Sequence, residues 1–238
     1  MAVYDLYLES GPKRRKTMVH VPALLGCVAN GPTTDTALDA TPEAIRAFRR
    51  FLHRNGEAID PDDTVDLAVV EHIMSGQMLG DGSPYLSFTC DAAPVAADEI
   101  DVATRRLSAL FGELAEWATS QGDAELDAEP AAGRTAREIL LHVMGAQGPT
   151  LSIALGSAAG FGTIHGAAKR GERPIPVALT DIAELADSQF HATDEQQRRL
   201  IRETPSGSYT LRKVIRHSLE HAWNHLAELS RRPGGPAL

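Results

Sequence analysis

Residues 209–232 read YTLRKVIRHSLEHAWNHLAELSRR. The stretch has no Gly or Pro and is rich in helix formers, so it predicts one helix of about six turns. Leu211, Val214, Ile215, Ala222, Leu226 and Leu229 define its apolar face. Histidines recur every fourth residue, at His217, His221 and His225. At roughly 100° per residue, His225 lies about 60° from the centre of the apolar face, His221 about 100° and His217 about 140°. His225 and His221 therefore belong at the core edge, and His217 is expected to be wetter. Two histidines at i and i+4 on one helix face can share a metal ion. The plainer reading is a solvated polar stripe. A metal would need a third ligand from elsewhere in the chain.

Composition sets the frame for that search. The 238 residues are 43% hydrophobic and 23% charged, as in ordinary globular proteins. The length suits one large domain or two small ones. A formal net charge of −9 argues against a nucleic-acid grip by the whole surface. Cys27 and Cys90 make no Cys-x-x-Cys pair and no disulfide framework, so reduced thiols and a cytoplasmic location are expected. The N-terminus does not read as a signal peptide, and no apolar run has the length of a membrane span.

Working outward from the N-terminal end, residues 2–9 (AVYDLYLE) and 16–21 (KTMVHV) read as a strand hairpin around a Ser-Gly-Pro turn. Residues 22–29 lead into a short third strand. A helix is expected over 42–54, with Thr41 as cap and Pro42 as its first residue, and a fourth strand over 64–73. This β-β-β-α-β order implies an antiparallel sheet with a helix on one face, an α+β module over residues 1–75. Residues 76–97 form a Gly- and Pro-containing connector. Tyr85, Leu86 and Phe88 make it too apolar for a free linker, so it should pack on a domain.

The C-terminal unit, 98–232, reads as four long helices, a four-helix bundle. The first spans 98–121, with Ile100, Leu107, Leu110, Phe111 and Leu114 on its inner face. The second opens on the capping box Thr135–Glu138, and Pro149 near Gly145 and Gly148 should kink or interrupt it. His142 lies about 60° from the centre of its apolar face, an edge position like that of His225. Taken alone, such a residue is more often a core histidine with one hydrogen bond. Residues 156–176, with five glycines and two prolines, read as a long loop that carries His165, Lys169, Arg170 and Arg173. A third long helix is expected over 177–202, and the PGGPAL tail is expected to fray. A fragment starting near Ser83 should, on this reading, fold alone.

Two resemblances sharpen the expectations. Val21, Pro22, Leu24, Gly26 and Cys27, followed by Ala37, Leu38, Ala40, Ala44 and Ile45, resemble the HicB-like antitoxin fold over about the first 75 residues. That family's module binds a toxin partner, and many members carry a DNA-binding segment. No ribbon-helix-helix or helix-turn-helix pattern follows here, which favours an adaptor or dimerisation module.

The segments GRTAREILLH (133–142) and EHAWNHLAEL (220–229) resemble the DinB-like superfamily. That resemblance implies a divalent metal, zinc or nickel foremost, held by His142, His221 and His225. Some DinB-like enzymes use mycothiol, bacillithiol or glutathione in transfer or isomerisation. A thiol-dependent transferase is therefore one expectation, with Lys169, Arg170 and Arg173 meeting the carboxylates of the thiol. Glu220 and Glu228 flank the histidine pair and are candidate acceptors for imidazole N–H groups. The alternative is a non-catalytic binding or regulatory protein with a structural metal site, including a HicB-type toxin–antitoxin role. Expected partners are a small-molecule substrate or thiol and a second copy in a homodimer; membrane and nucleic acid are not expected.

Overall fold

The computed structural model describes residues 2–238. The N-terminal part is a four-stranded sheet with one long helix. Strand β1 (Ala2–Ser10) pairs antiparallel with β2 (Arg15–His20), which pairs antiparallel with β3 (Val28–Thr33). Helix α1 follows (Thr34–Arg54), then β4 (Val65–Ile73), and the spatial order is β3-β2-β1-β4. The expected element order is present, but the sheet is not wholly antiparallel, because β4 runs parallel to β1. The single helix between β3 and β4 carries the chain back along the sheet, so β4 enters at the same end as β1 and pairs with it in parallel.

Helix α1 also starts earlier than expected. Thr33 is its cap, with Thr33 and Thr36 forming a reciprocal capping box, so Pro42 sits in the helix interior rather than at its first position. Alternation along β1 gives one face packed on α1 and a second face that is exposed at Val3 and Asp5 and covered by the connector from Tyr7 onward. Tyr4, Leu6 and Leu8 join the core that includes Ile45, Phe48, Phe51 and Leu52 of α1. On the other face, Tyr7 and His20 pack edge-on against Phe88 of the connector, and Glu9 accepts from the backbone N–H groups of Gly82 and Ser83.

The C-terminal part is mostly helical: α2 (Ala97–Ser120), short α3 (Asp123–Leu126), α4 (Ala136–Leu155), α5 (Phe161–Lys169), α6 (Ile175–His191), short α7 (Glu195–Arg199), a small hairpin of β5 (Arg202–Thr204) and β6 (Gly207–Tyr209), and α8 (Leu211–Ser230). Helix α2 packs on α6 and α8, and α4 packs on α8 and α6. Helix α4 is continuous through Pro149, so no interruption occurs there. The expected loop over 156–176 contains α5, and the expected helix over 177–202 is α6 followed by α7 and the start of the hairpin. The tail is tied down as well: Trp117 Nε1 donates to Gly234 O, and Leu238 packs against the core. No helix among the described residues is long and apolar enough to cross a membrane.

Helix α8 joins the two parts. Trp223 packs on Phe48 and Phe51 of α1, with ring centroids 4.8 and 5.4 Å away. One turn earlier the contacts are ionic. Arg216 makes a two-pronged pair with Asp91 of the connector, both bonds 2.8 Å, and reaches Glu220 at 2.7 Å. The same Glu220 oxygen lies 2.9 Å from His20 Nδ1 on β2. All four side chains are buried. Burial opposes ionisation of Asp91 and Glu220, yet the Arg216 guanidinium outweighs it and holds both carboxyls below their ordinary range.

Candidate metal centre

Helix α8 has a second polar stripe, about 100° round from Arg216 and Glu220. It carries His217, His221 and His225, all at least half-buried. Its neighbour α4 begins at the Thr135 cap, where the Glu138 N–H donates to Thr135 Oγ1 and the Glu138 carboxylate accepts from the Thr135 N–H. The two helices run antiparallel: Arg134, just before α4, lies 3.9 Å from Glu228 near the end of α8. This arrangement brings His142 of α4 against His221 and His225.

His142, His221 and His225 each offer a ring nitrogen, and the three nitrogens lie within 4.8 Å of one another. The ring centroids are 4.7 Å apart for His142–His221, 5.0 Å for His142–His225 and 4.6 Å for His221–His225. His225 is buried, His221 is half-buried and His142 is exposed, so the cluster is closed on the core side and open on the His142 side. The cluster can hold a metal ion.

Its surroundings suit that use. Glu228 lies 2.7 Å from His225 Nδ1, which places that proton and leaves Nε2 as the lone-pair nitrogen facing the other two rings. The hydrogen bond to His225, against some burial, holds the Glu228 carboxyl below its ordinary range. Burial, together with the neighbouring His225, pushes His142 down to about 4, and burial among the other histidines pushes His221 well below the ordinary value. Imidazoles held neutral at neutral pH are the form that binds a metal. His221 Nδ1 is buried without a hydrogen-bond partner.

His217 stands one turn from His221 with ring centroids 5.7 Å apart; it is half-buried rather than wet, and burial beside Arg216 lowers it to about 4. Glu228 holds an imidazole N–H, whereas Glu220 turns to the sheet and serves His20 and Arg216. Of the basic trio, Arg170 pairs with Glu172 and Arg173 with Asp181. Lys169 is exposed at the end of α5, without a carboxylate partner among the described residues. The ion network around Arg216 was not read from the sequence. Its i,i+4 spacing with Glu220 was visible, but His20 lies 200 positions away.

A separate cleft of about 600 Å³ has Tyr7, Leu25, Cys90, Val102, Arg106 and Arg212 on its wall and none of the three histidines. Both its arginines are already paired, with Glu57 and Glu99. No family model, curated protein or solved structure matches this chain.

Proposed function

We propose that this protein is a divalent-metal protein of DinB-like type, in which the four long helices form the bundle and the metal serves thiol-dependent transfer or isomerisation. The observation that carries the reading is the three-histidine cluster with one open side. Three neutral protein ligands plus an exchangeable position is the way catalytic zinc sites are built, while structural sites are closed by four protein ligands. A divalent ion there would lower the pKa of a bound water or thiol and supply a nucleophile near neutral pH. His142, His221 and His225 would hold it, and Glu228 would orient His225. Zinc or nickel suits an all-imidazole set. Lys169 is the free cation of the α5 end and suits a ligand carboxylate, while Arg170 and Arg173 would first have to leave their own partners.

The test is cobalt substitution followed by addition of mycothiol, bacillithiol or glutathione. A sulfur-to-metal charge-transfer band that saturates with thiol and is lost in His221→Ala supports the reading. Stoichiometric cobalt with no band for any of the three removes the thiol part of it.

A second reading, a binding or regulatory protein with the same metal in a structural role, draws on a different surface. Strand β4 is an edge strand with Val69 and Val70 about half exposed (51% and 49%), and Val3 of β1 is exposed nearby. Apolar edge strands are templates for pairing with another chain.

A further inference from the structure

Helix α5 seats on α4 through two glycines. A Cβ at Gly148 would meet Phe161 Cβ at 2.8 Å, and a Cβ at Gly145 would meet His165 Nε2 at 3.2 Å. Phe161 and His165 are one turn apart on α5, and Gly148 and Gly145 are one turn apart on α4. The pairing 161 over 148 and 165 over 145 makes α5 antiparallel to α4. Gly145 therefore does more than loosen a helix. Its missing side chain is the space that His165 occupies.

Gly145 is also three residues beyond His142, so it neighbours His142 on the surface of α4, ~5–6 Å away at the level of side-chain attachment. Seen around α4, His142 lies between the side that meets α8 and the side that meets α5. The metal cluster thus sits in a groove. Its floor is His142 and Gly145, one wall is the His221–His225 stripe of α8, and the other wall is α5. His165 is on that second wall, half-buried. Lys169 follows one turn later, in the direction that runs back along α4 toward His142. Among the described residues, neither ring nitrogen of His165 has a hydrogen-bond partner. It is not one of the three clustered ligands.

We propose that His165 is a ligand-contacting residue of this groove, donating a hydrogen bond to the anionic group of a small thiol or carboxylate ligand held on the open side of the three-histidine centre. The inference rests on the metal reading above and adds a residue and a ligand class to it. A half-buried imidazole with an unused N–H gains a charge-assisted hydrogen bond from such an anion, a contact stronger than one between neutral groups. Lys169, further along the same wall, is placed for a second anionic group on the same molecule.

The experiment uses the whole protein loaded with cobalt(II), titrated with mercaptoacetate and followed by its absorption spectrum. Four proteins are compared: wild type, His165→Ala, His165→Gln and Gly145→Ala. The last keeps the imidazole but presses on its Nε2, so the ring must shift by a few tenths of an ångström, while replacing a helix glycine by a better helix former. His165→Ala should weaken mercaptoacetate binding about tenfold, as expected for one hydrogen bond to a charged group, and Gly145→Ala should weaken it in the same direction. His165→Gln, with an amide N–H, should recover part of the loss. Cobalt stoichiometry and melting temperature should match wild type in all three variants. Wild-type affinity in both His165→Ala and Gly145→Ala, or cobalt-loaded wild type that binds no mercaptoacetate, overturns this inference while leaving the metal centre intact. Failure of wild type to take up cobalt overturns the metal reading itself, and this inference with it.

Discussion

The Nε2 atoms of His142 and His221, residues 79 positions apart in sequence, stand 3.0 Å from each other. Two imidazole lone pairs repel at that distance unless a proton or a cation lies between them. Two nitrogens bound to one tetrahedral metal at ~2.0–2.1 Å would be separated by ~3.3 Å, so only a small spreading of the rings is needed. Metal content should therefore fall well below wild-type stoichiometry in His142→Ala, His221→Ala and His225→Ala. His217→Ala should retain metal, since its ring lies a turn beyond the cluster. Elemental analysis of the purified proteins checks this, and undiminished metal in all three ligand variants would sink the assignment.

The two glutamates of α8 should separate cleanly. Glu228→Gln removes the charged acceptor from His225 and should weaken metal binding roughly 10–100-fold. Glu220→Gln should leave metal affinity near wild type but destabilise the fold, because Arg216 and His20 lose their shared partner in a buried network. Breaking such a pair costs about 3–5 kcal/mol when a charge is stranded, and less where, as here, Arg216 keeps Asp91. Competition with a chelator and chemical denaturation measure the two effects, and equal metal affinities for the two variants would contradict the division of roles.

Acid should weaken the metal-free protein in a defined window. His142 and His217 are both lowered to about 4, chiefly by burial. A histidine depressed in the folded state binds its proton more readily when unfolded, so stability rises with pH across the interval between the two values. The contribution is complete above the ordinary value of about 6.5 and is lost as pH falls toward about 4. Solvent screening reduces the share of exposed His142. The melting temperature of chelator-treated protein should drop between pH 7 and pH 4.5, by less in His217→Ala, whose flat profile relative to wild type would be the signature. An unchanged melting temperature over that range would contradict it.

A fragment beginning near Ser83 should not behave as an independent unit, although the apolar stripes of its helices suggest that it would. Without the first 82 residues, Trp223 loses Phe48 and Phe51, and Glu220 loses His20. The fragment is expected to be helical by circular dichroism but to unfold with a broad, low transition or to aggregate. A sharp transition at the temperature of the full chain would show that the sheet contributes nothing to the helical part.

What was legible in the sequence was local. The Thr135–Glu138 capping box, the end of α1 before Gly56 and the uninterrupted helix of residues 211–230 follow from side chains within a turn or two of one another. The edge phase of His142, His221 and His225 followed from helical periodicity, and the resemblance to a known family joined them into one set. Less legible were features in which a local signal was outweighed. Pro42 reads as a helix start, yet α1 begins at Thr34 because Thr33 and Thr36 cap each other. Glycines over 156–176 read as loop, yet α5 forms there, packed into the notch left by Gly145 and Gly148.

By itself, then, the sequence determined the first four strands, the longest helices and which histidines lie at the edge of an apolar face. Tertiary structure decided the rest: the parallel seat of β4, the turn of Glu220 toward the sheet and Glu228 toward the three-histidine cluster, and the placing of His165 against Gly145. The physical reason is reach. Caps and periodicity are set by contacts a few residues long, whereas a carboxylate chooses its partner among groups brought near by packing. For Glu220 that group is His20, 200 residues away and 2.9 Å distant.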